Sequence, residues 1–470
     1  MKHKINSLFA KKRGAALITA VMFFVIISLV VVTGISTSVF RDYVTVREFE
    51  KSKGAYYLSE AGSEDAMYRI MNLDAIDAQE VISLDGNKAT TTITTISAIK
   101  KTIGSIGDIL FNTRRVKSTL TVVSGASFNY GVQAGDGGVY MSSTSSITGN
   151  LYSTGPVCGG GKTGSNCLNG SSATDNIVTG TVLVATTTSN GVITNITNQG
   201  TASMYANKIY SSIIASTTVT CNTISGSNRG SCTYPWGTQA PVELPIQRPQ
   251  IESWEAAATA GGVITQAECS SHLEGDGTYE YTYIINSSRN LGPVEIQCDL
   301  SIEGALDPGD APTITLMGPV WAKGNIDIEG YLTIRVDPSI SGQGLSMVMI
   351  ADNPSDLINS STIDVKDDNP VFEGAGVNSW IMLLSENNGA SLGTISEAIE
   401  VQDGATGEVI LYARLGDILL MNNTSAREVT GYKITLANSA NITYQSGLQN
   451  ALFTSGPGGS WTIQDWKEGQ

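Results

Sequence analysis

Residues 15–40 read AALITAVMFFVIISLVVVTGISTSVF, twenty-six residues without a charge. About 20 apolar residues suffice to cross a bilayer as a helix. The fourteen residues before them, MKHKINSLFAKKRG, carry Lys2, Lys4, Lys11, Lys12 and Arg13 but no acid; the first acid is Asp42. A basic flank of this kind holds the N-terminus in the cytoplasm and places the chain beyond residue 40 outside. An ordinary secretory signal has a shorter apolar region that ends in a small-residue cleavage site. Here the apolar run passes directly into a charged helical segment. The expectation is one long helix over 15–72, transmembrane at 15–40, on an exported chain that stays in the membrane.

The junction Lys12-Arg13-Gly14-Ala15-Ala16-Leu17 resembles the processing signal of type IV pilins and pseudopilins. The segment 55–70, AYYLSEAGSEDAMYRI, resembles the "AAEAG" region of PilX-like minor pilins. The likeness covers residues 8–75. It implies a leader over 1–14, cut between Gly14 and Ala15 by a prepilin peptidase. It also implies partnership with other pilins and minor pilins through the helix. Major pilins place a glutamate five residues after the cut, where it pairs with a neighbour's terminal amine. This chain has Thr19 there, a hydroxyl without charge, which speaks for a minor rather than a bulk subunit. A plain signal anchor is the alternative.

The remaining 430 residues belong to an extracellular β protein. Only 15% of the 470 residues are charged, and Gly numbers 50. Formal charge is −15, or −20 without the five basic residues of 1–14. Such a surface disfavours nucleic acid as a partner. All six cysteines lie beyond the apolar run, and an even count in an exported chain favours disulfides. Neighbours in sequence give 158–167, 221–232 and 269–298, among fifteen connectivities for Cys158, Cys167, Cys221, Cys232, Cys269 and Cys298. Zinc is disfavoured, because no C-x2-C spacing occurs and His272 is the only histidine outside the leader.

Within 15–72, Asp65–Arg69, Glu48–Lys51 and Glu50–Lys53 have helix-pairing spacing. Leu58, Ala61, Gly62, Ala66, Met67, Ile70 and Met71 form an apolar face. Residues 73–130 read as a short mixed α/β connector with strands near 90–99 and 116–123. From 131, strands of three to five residues alternate with Gly, Asn, Asp and Ser corners. Examples are Ile177–Val184, Leu332–Val336, Ser346–Ala351, Trp380–Leu384 and Asp417–Met421. Short strands with such corners suit a parallel β-helix, whose stacked coils bury an aliphatic interior. Stretch 138–153 also looks like coils of bactofilin-type surface proteins. The fold class expected is therefore mainly β: a pilin-type helix followed by a parallel β-helix-like domain, with a jelly-roll or β-sandwich as the alternative. Its parts are 131–234 with the first disulfide loops, 235–300 as a Pro-rich strap and insertion, and 301–470 as the second half.

Catalytic signals are weak. Without a usable histidine, Ser-His-Asp and Cys-His chemistry is absent. Residues 156–163, PVCGGGKT, lack the first glycine of a phosphate-binding loop. Asp364, Asp367, Asp368 and Glu373 place four carboxylates in ten residues, a candidate calcium site; the spacing is not that of an EF-hand. Apart from calcium, no cofactor is expected. The function expected is a minor pilin-like, membrane-anchored protein that displays a β domain for filament priming, adhesion or surface binding, with a surface glycan or a neighbouring cell as partner. The alternatives are a surface-anchored β-helix enzyme acting on carbohydrate, and a structural envelope protein outside any filament.

Overall fold

The computed structural model describes residues 10–71, 76–97, 100–121, 123–161, 175–188, 190–199, 203–210, 212–214, 219–225, 231–233, 235–273, 279–394, 397–454 and 462–469. The chain divides into two units, residues 1–120 with 463–470, and residues 121–462.

The first unit is built on helix α1 (Ala10–Met71). Four strands, β1 (Gln79–Leu84), β2 (Asn87–Ser97), β3 (Lys100–Ile109) and β4 (Asn112–Thr121), join the C-terminal strand Thr462–Gly469 in one sheet. Among the described residues of 73–130 the regular elements are strands, as their Thr, Ile and Val content favours. The last strand of 301–470 leaves the β-helix for this sheet.

Small residues bring α1 onto β3. A Cβ on Gly62 would lie 2.6 Å from Ser105 Oγ, and one on Gly107 would lie 2.1 Å from the Ala55 carbonyl. Ala55, Leu58, Ser59, Ser63, Ala66, Met67 and Ile70 are buried; Ala61 is exposed. The apolar face is thus partly a hydroxyl face, where Ser63 and Ser118 meet at 3.2 Å. Two of the expected ion pairs form on α1, Glu48–Lys51 at 2.6 Å and Asp65–Arg69 at 3.4 Å. Lys53 instead places its ammonium 5.7 Å from the centre of the Tyr57 ring.

Both described hairpin loops of this sheet have two residues. Asp85-Gly86 has φ of 50° and 80°, and Leu110-Phe111 has φ of 47° and 70°. Two left-handed residues make the turn that Asp-Gly or Asn-Gly normally occupies. For Leu and Phe the left-handed region costs about 1–2 kcal/mol per residue.

The second unit is a parallel β-helix, which removes the sandwich alternative. One aliphatic ladder runs through its stacked strands: Leu300, Ile326, Ile363, Ile399, Ile418, Ile434, Val139, Val157, Ile193, Ile209 and Ile224, each in register with the next. Alternation along each strand sends every second side chain inward. Thus Ile326 and Ile328 are buried while Asp327 and Glu329 are only partly so.

The ladder also gives the order of the coils. Strand Glu428–Leu436 stacks in parallel on Val132–Met141, so the last coil of the second half lies on the first coil of the first half. The chain enters the stack in its middle and builds outward to about residue 225. It then crosses to the opposite end and builds back. Polar corners stack up to and across this junction: Asn422 donates to Asp403 at 3.0 Å and Asn438 to Asn422 at 3.0 Å within the second half, and Ser439 meets Thr144 of the first half at 2.8 Å. Within the stretch expected as strap and insertion over 235–300, strands Val263–Ile264, Tyr279–Ile285, Arg289–Leu291 and Val294–Ile296 already pair in parallel with later coil strands, while Ser270–Leu273 pairs antiparallel with Tyr279–Ile285.

Candidate functional site

The membrane-type element is the first half of α1. It is the one described helix long and apolar enough to cross a membrane, and none of its apolar stretch is buried. Leu17, Phe23, Phe24, Ile26 and Val31 are more than half exposed. Gly14 and Ala15 lie within the helix, and Thr19 is on its exposed surface. Residues 1–9 of the expected leader lie outside the described residues. The second half of α1 packs on its own sheet through Gly62 and Gly107. A single helix therefore offers one apolar half without cover and one half fixed to a head unit.

In the β-helix the polar chemistry gathers under the crossing segment. Residues 235–247, with prolines at 235, 241 and 245, run extended along the coils. Trp236 donates its indole N–H to the Val184 carbonyl at 2.9 Å. Val242 N–H donates to the Tyr152 hydroxyl at 2.9 Å, and Gln133 Nε2 to the Glu243 carbonyl at 3.1 Å. Past the junction of the two halves, the Tyr412 hydroxyl donates to the Ile246 carbonyl at 2.6 Å. Helix α2 (Arg248–Gly261) comes next, with a proline in its first turn where no N–H is needed. Ile251 and Trp254 enter the core beside Trp380 and Phe453.

Arg248 opens α2 and reaches two buried acids. Its Nη1 is 2.9 Å from Asp352 and 2.9 Å from Glu386, on side chains 1% and 4% exposed. Arg414 adds a contact to Glu386 at 3.4 Å, and Glu255 lies 3.7 Å from Arg248. Stacking explains the convergence. Ala351 pairs with Ser385, so the residues after them, Asp352 and Glu386, sit one coil apart. Burial, then the hydrogen bond and charge of Asp352, push Glu255 up to about 8. Burial also raises Glu386, against the pull of Arg414 and Arg248. A proton-holding acid beside other carboxyls has the elements of acid–base chemistry. These carboxyls, however, face Arg248 and one another beneath α2. The arrangement they make is a lock that fastens the strap to the coils. Sequence reading missed it; the signal was the repeated pattern of an apolar run closed by an acid, MVMIAD at 347–352 and IMLLSE at 381–386.

The four calcium candidates are not brought together. Asp364 is on strand Ile363–Lys366 of the large sheet and accepts from Lys366 at 2.9 Å. Asp367 and Asp368 form the corner, with φ of 58° and 51°. Glu373 lies beyond it on Val371–Glu373, in a different sheet. Among the described residues no group of three or more His, Cys, Asp or Glu side chains is arranged to hold a metal ion.

Cys221 is bonded to Cys232, and Cys269 to Cys298. Cys158 is also disulfide-bonded; Cys167 lies outside the described residues.

No protein family matches the chain in sequence, and no curated protein does. Among solved structures, a competence-associated pilin, ComZ, from Thermus thermophilus is similar at 12% identity. The similarity covers 89% of this chain and 97% of that one, with a TM-score of 0.24. At that score the likeness carries no argument.

Proposed function

We propose that this chain is a minor pilin-like subunit of a type IV filament system, anchored by α1, with the β-helix displayed outside the cell. One observation carries the reading. The first half of α1 is apolar and uncovered, whereas the second half is fitted to its own sheet through glycine and serine. Such a helix can sit in a bilayer first and among the helices of other pilins later, without rebuilding the head.

Thr19 gives the reading its limit. Between identical subunits, a terminal ammonium buried at each interface would meet no carboxylate at this position, and unpaired buried charge costs several kcal/mol. The first acid, Asp42, is about 34 Å further along a straight helix at 1.5 Å per residue. A subunit used once, above a neighbour that carries an acid, avoids this cost. The large β-helix would also crowd if repeated along a thin filament. Other pilins and a prepilin peptidase are then the partners, and the β-helix is the surface offered to a glycan or a neighbouring cell.

The test is expression as the sole pilin, compared with expression beside a complete set. Electron microscopy should find no long filaments in the first case, and shearing should release the protein with filaments in the second. Long homopolymeric filaments would contradict the proposal.

A further inference from the structure

Strand β3 runs from Ser105, opposite Gly62 of α1, to Ile109, opposite Gly54. Four strand residues at about 3.3 Å match eight helix residues at about 1.5 Å, so the strand lies along the helix. It runs toward the apolar end. Asn112 Nδ2 then donates to Glu48 at 2.8 Å, which fixes the level of the hairpin tip on α1. Lys88 pairs with Asp108, so the β1–β2 loop lies at the same end of the sheet. Three large apolar side chains project there: Leu84 (62% exposed), Leu110 (64%) and Phe111 (97%).

The two loops are a natural comparison. Both have two left-handed residues, yet one is Asp-Gly and the other is Leu-Phe. Leu and Phe are poor choices for this backbone and gain nothing from burial within the unit. Folding does not explain them.

We infer that Leu110, Phe111 and Leu84 form a second membrane contact, seated in the lipid–water interface beside α1. This rests on the proposed membrane anchorage. Glu48 is eight residues beyond Phe40, about 12 Å along the helix axis. The headgroup layer extends about 5–7 Å beyond the hydrocarbon on each side. The length of the Phe111 side chain and an ordinary tilt of about 20° bring the tip into that layer. Near these levels α1 exposes Phe40, Tyr43 and Phe49, and Tyr is a residue enriched at membrane interfaces. The patch lies at the end of the sheet nearest the apolar half of α1, and its occupant is lipid. With α1 as one point of attachment and the tip as another, the head unit would be held at a defined rotation about the helix axis.

Two measurements on the full chain test this. Replacing Leu110-Phe111 by Asn-Gly installs the turn residues this hairpin geometry prefers. The variant should unfold at or above the wild-type temperature; a fall of several degrees would show that the pair serves folding and would overturn the inference. The second measurement uses a nitroxide on a single introduced cysteine, since no described cysteine is free. Leu17-to-Phe40 anchorage is read from Val31→Cys, the tip from Phe111→Cys, and the far end of the sheet from Thr95→Cys, in phosphatidylcholine vesicles. Oxygen should reach the label at 111 more readily than a water-soluble nickel chelate does, with a ratio between those at 31 and 95. A ratio at 111 equal to that at 95, with lipid exposure at 31, would overturn this inference alone. So would protection at 111 that arises only when another pilin is added. An aqueous signal at 31 would overturn the anchorage and this inference with it.

Discussion

Arg248 Nη1 stands 2.9 Å from Asp352 Oδ2, a carboxylate whose side chain is 1% exposed. The pair joins the first residue of α2 to the middle of the second-half coils, at the point where the strap stops running extended and begins to coil. Breaking it should loosen the strap. Arg248→Met leaves Asp352 and Glu386 buried with one fewer cation, a change that costs roughly 3–5 kcal/mol when a buried pair loses one partner. The expected outcome is a lower unfolding temperature of the β-helix, with no change in the helical signal of α1. Wild-type stability in the variant would mean that the lock is decorative.

The same site sets a pH dependence. Glu255 has a folded value of about 8, raised from 4.5 chiefly by burial. The folded state therefore binds a proton that the unfolded chain releases. The stability from this group is fully present below about 4.5 and is lost as pH rises through 8. Glu386 and the fully buried Glu428 are raised by burial as well and have the same sign. Thermal unfolding between pH 5.5 and 8.5 should show the β-helix more stable at the acid end. Glu255→Gln should flatten the slope, and an unaltered slope would contradict the assignment.

The Cys221–Cys232 bond closes a loop with a sequence separation of 11 at the outer end of the first half. Closing a loop of this size is worth roughly 2–3 kcal/mol through the unfolded state. Replacing both cysteines by serine should lower the unfolding temperature and raise protease sensitivity near residues 219–232. Thiol titration of the wild-type protein recovered from native membranes should find no free cysteine; two or more would contradict the pairing.

Gly107 tests the helix–sheet contact of the first unit. Its added Cβ would meet the Ala55 carbonyl at 2.1 Å and the Ser59 amide at 2.7 Å. Both are backbone atoms, so neither can swing aside. Gly107→Ala should cost about 1–3 kcal/mol, the usual range for overpacking, measured by denaturant unfolding. An unchanged midpoint would show that Gly107 does not hold the sheet against α1.

Much of this architecture was legible in the sequence, for identifiable reasons. A charge-free run over 15–40 has few physical outcomes. Short aliphatic strands with Asn and Ser corners stack because nothing else buries their interior. Gly62 lay in the segment read as helical, and the structure shows what it is for. Order in the stack was not legible. Val429 pairs with Val132 across about three hundred residues of sequence, and nothing local encodes such a register. The acids of the lock were hidden for a similar reason: Asp352 and Glu386 read as surface residues until stacking places them beneath α2. Leu110-Phe111 carries no turn signal at all. An apolar pair at the end of a strand normally reads as core, and only the backbone reveals it as a loop tip.

The account depends most on the N-terminus. If the chain is handled as a pilin-type precursor, the exported protein must begin where the basic leader meets the apolar helix. Mass spectrometry of protein recovered from native membranes, in cells with an active prepilin peptidase, measures this directly. The account predicts a mature chain beginning at Ala15, and a leader retained in Gly14→Val. A chain beginning at Met1, or one cut after the apolar run beyond residue 36, would contradict it.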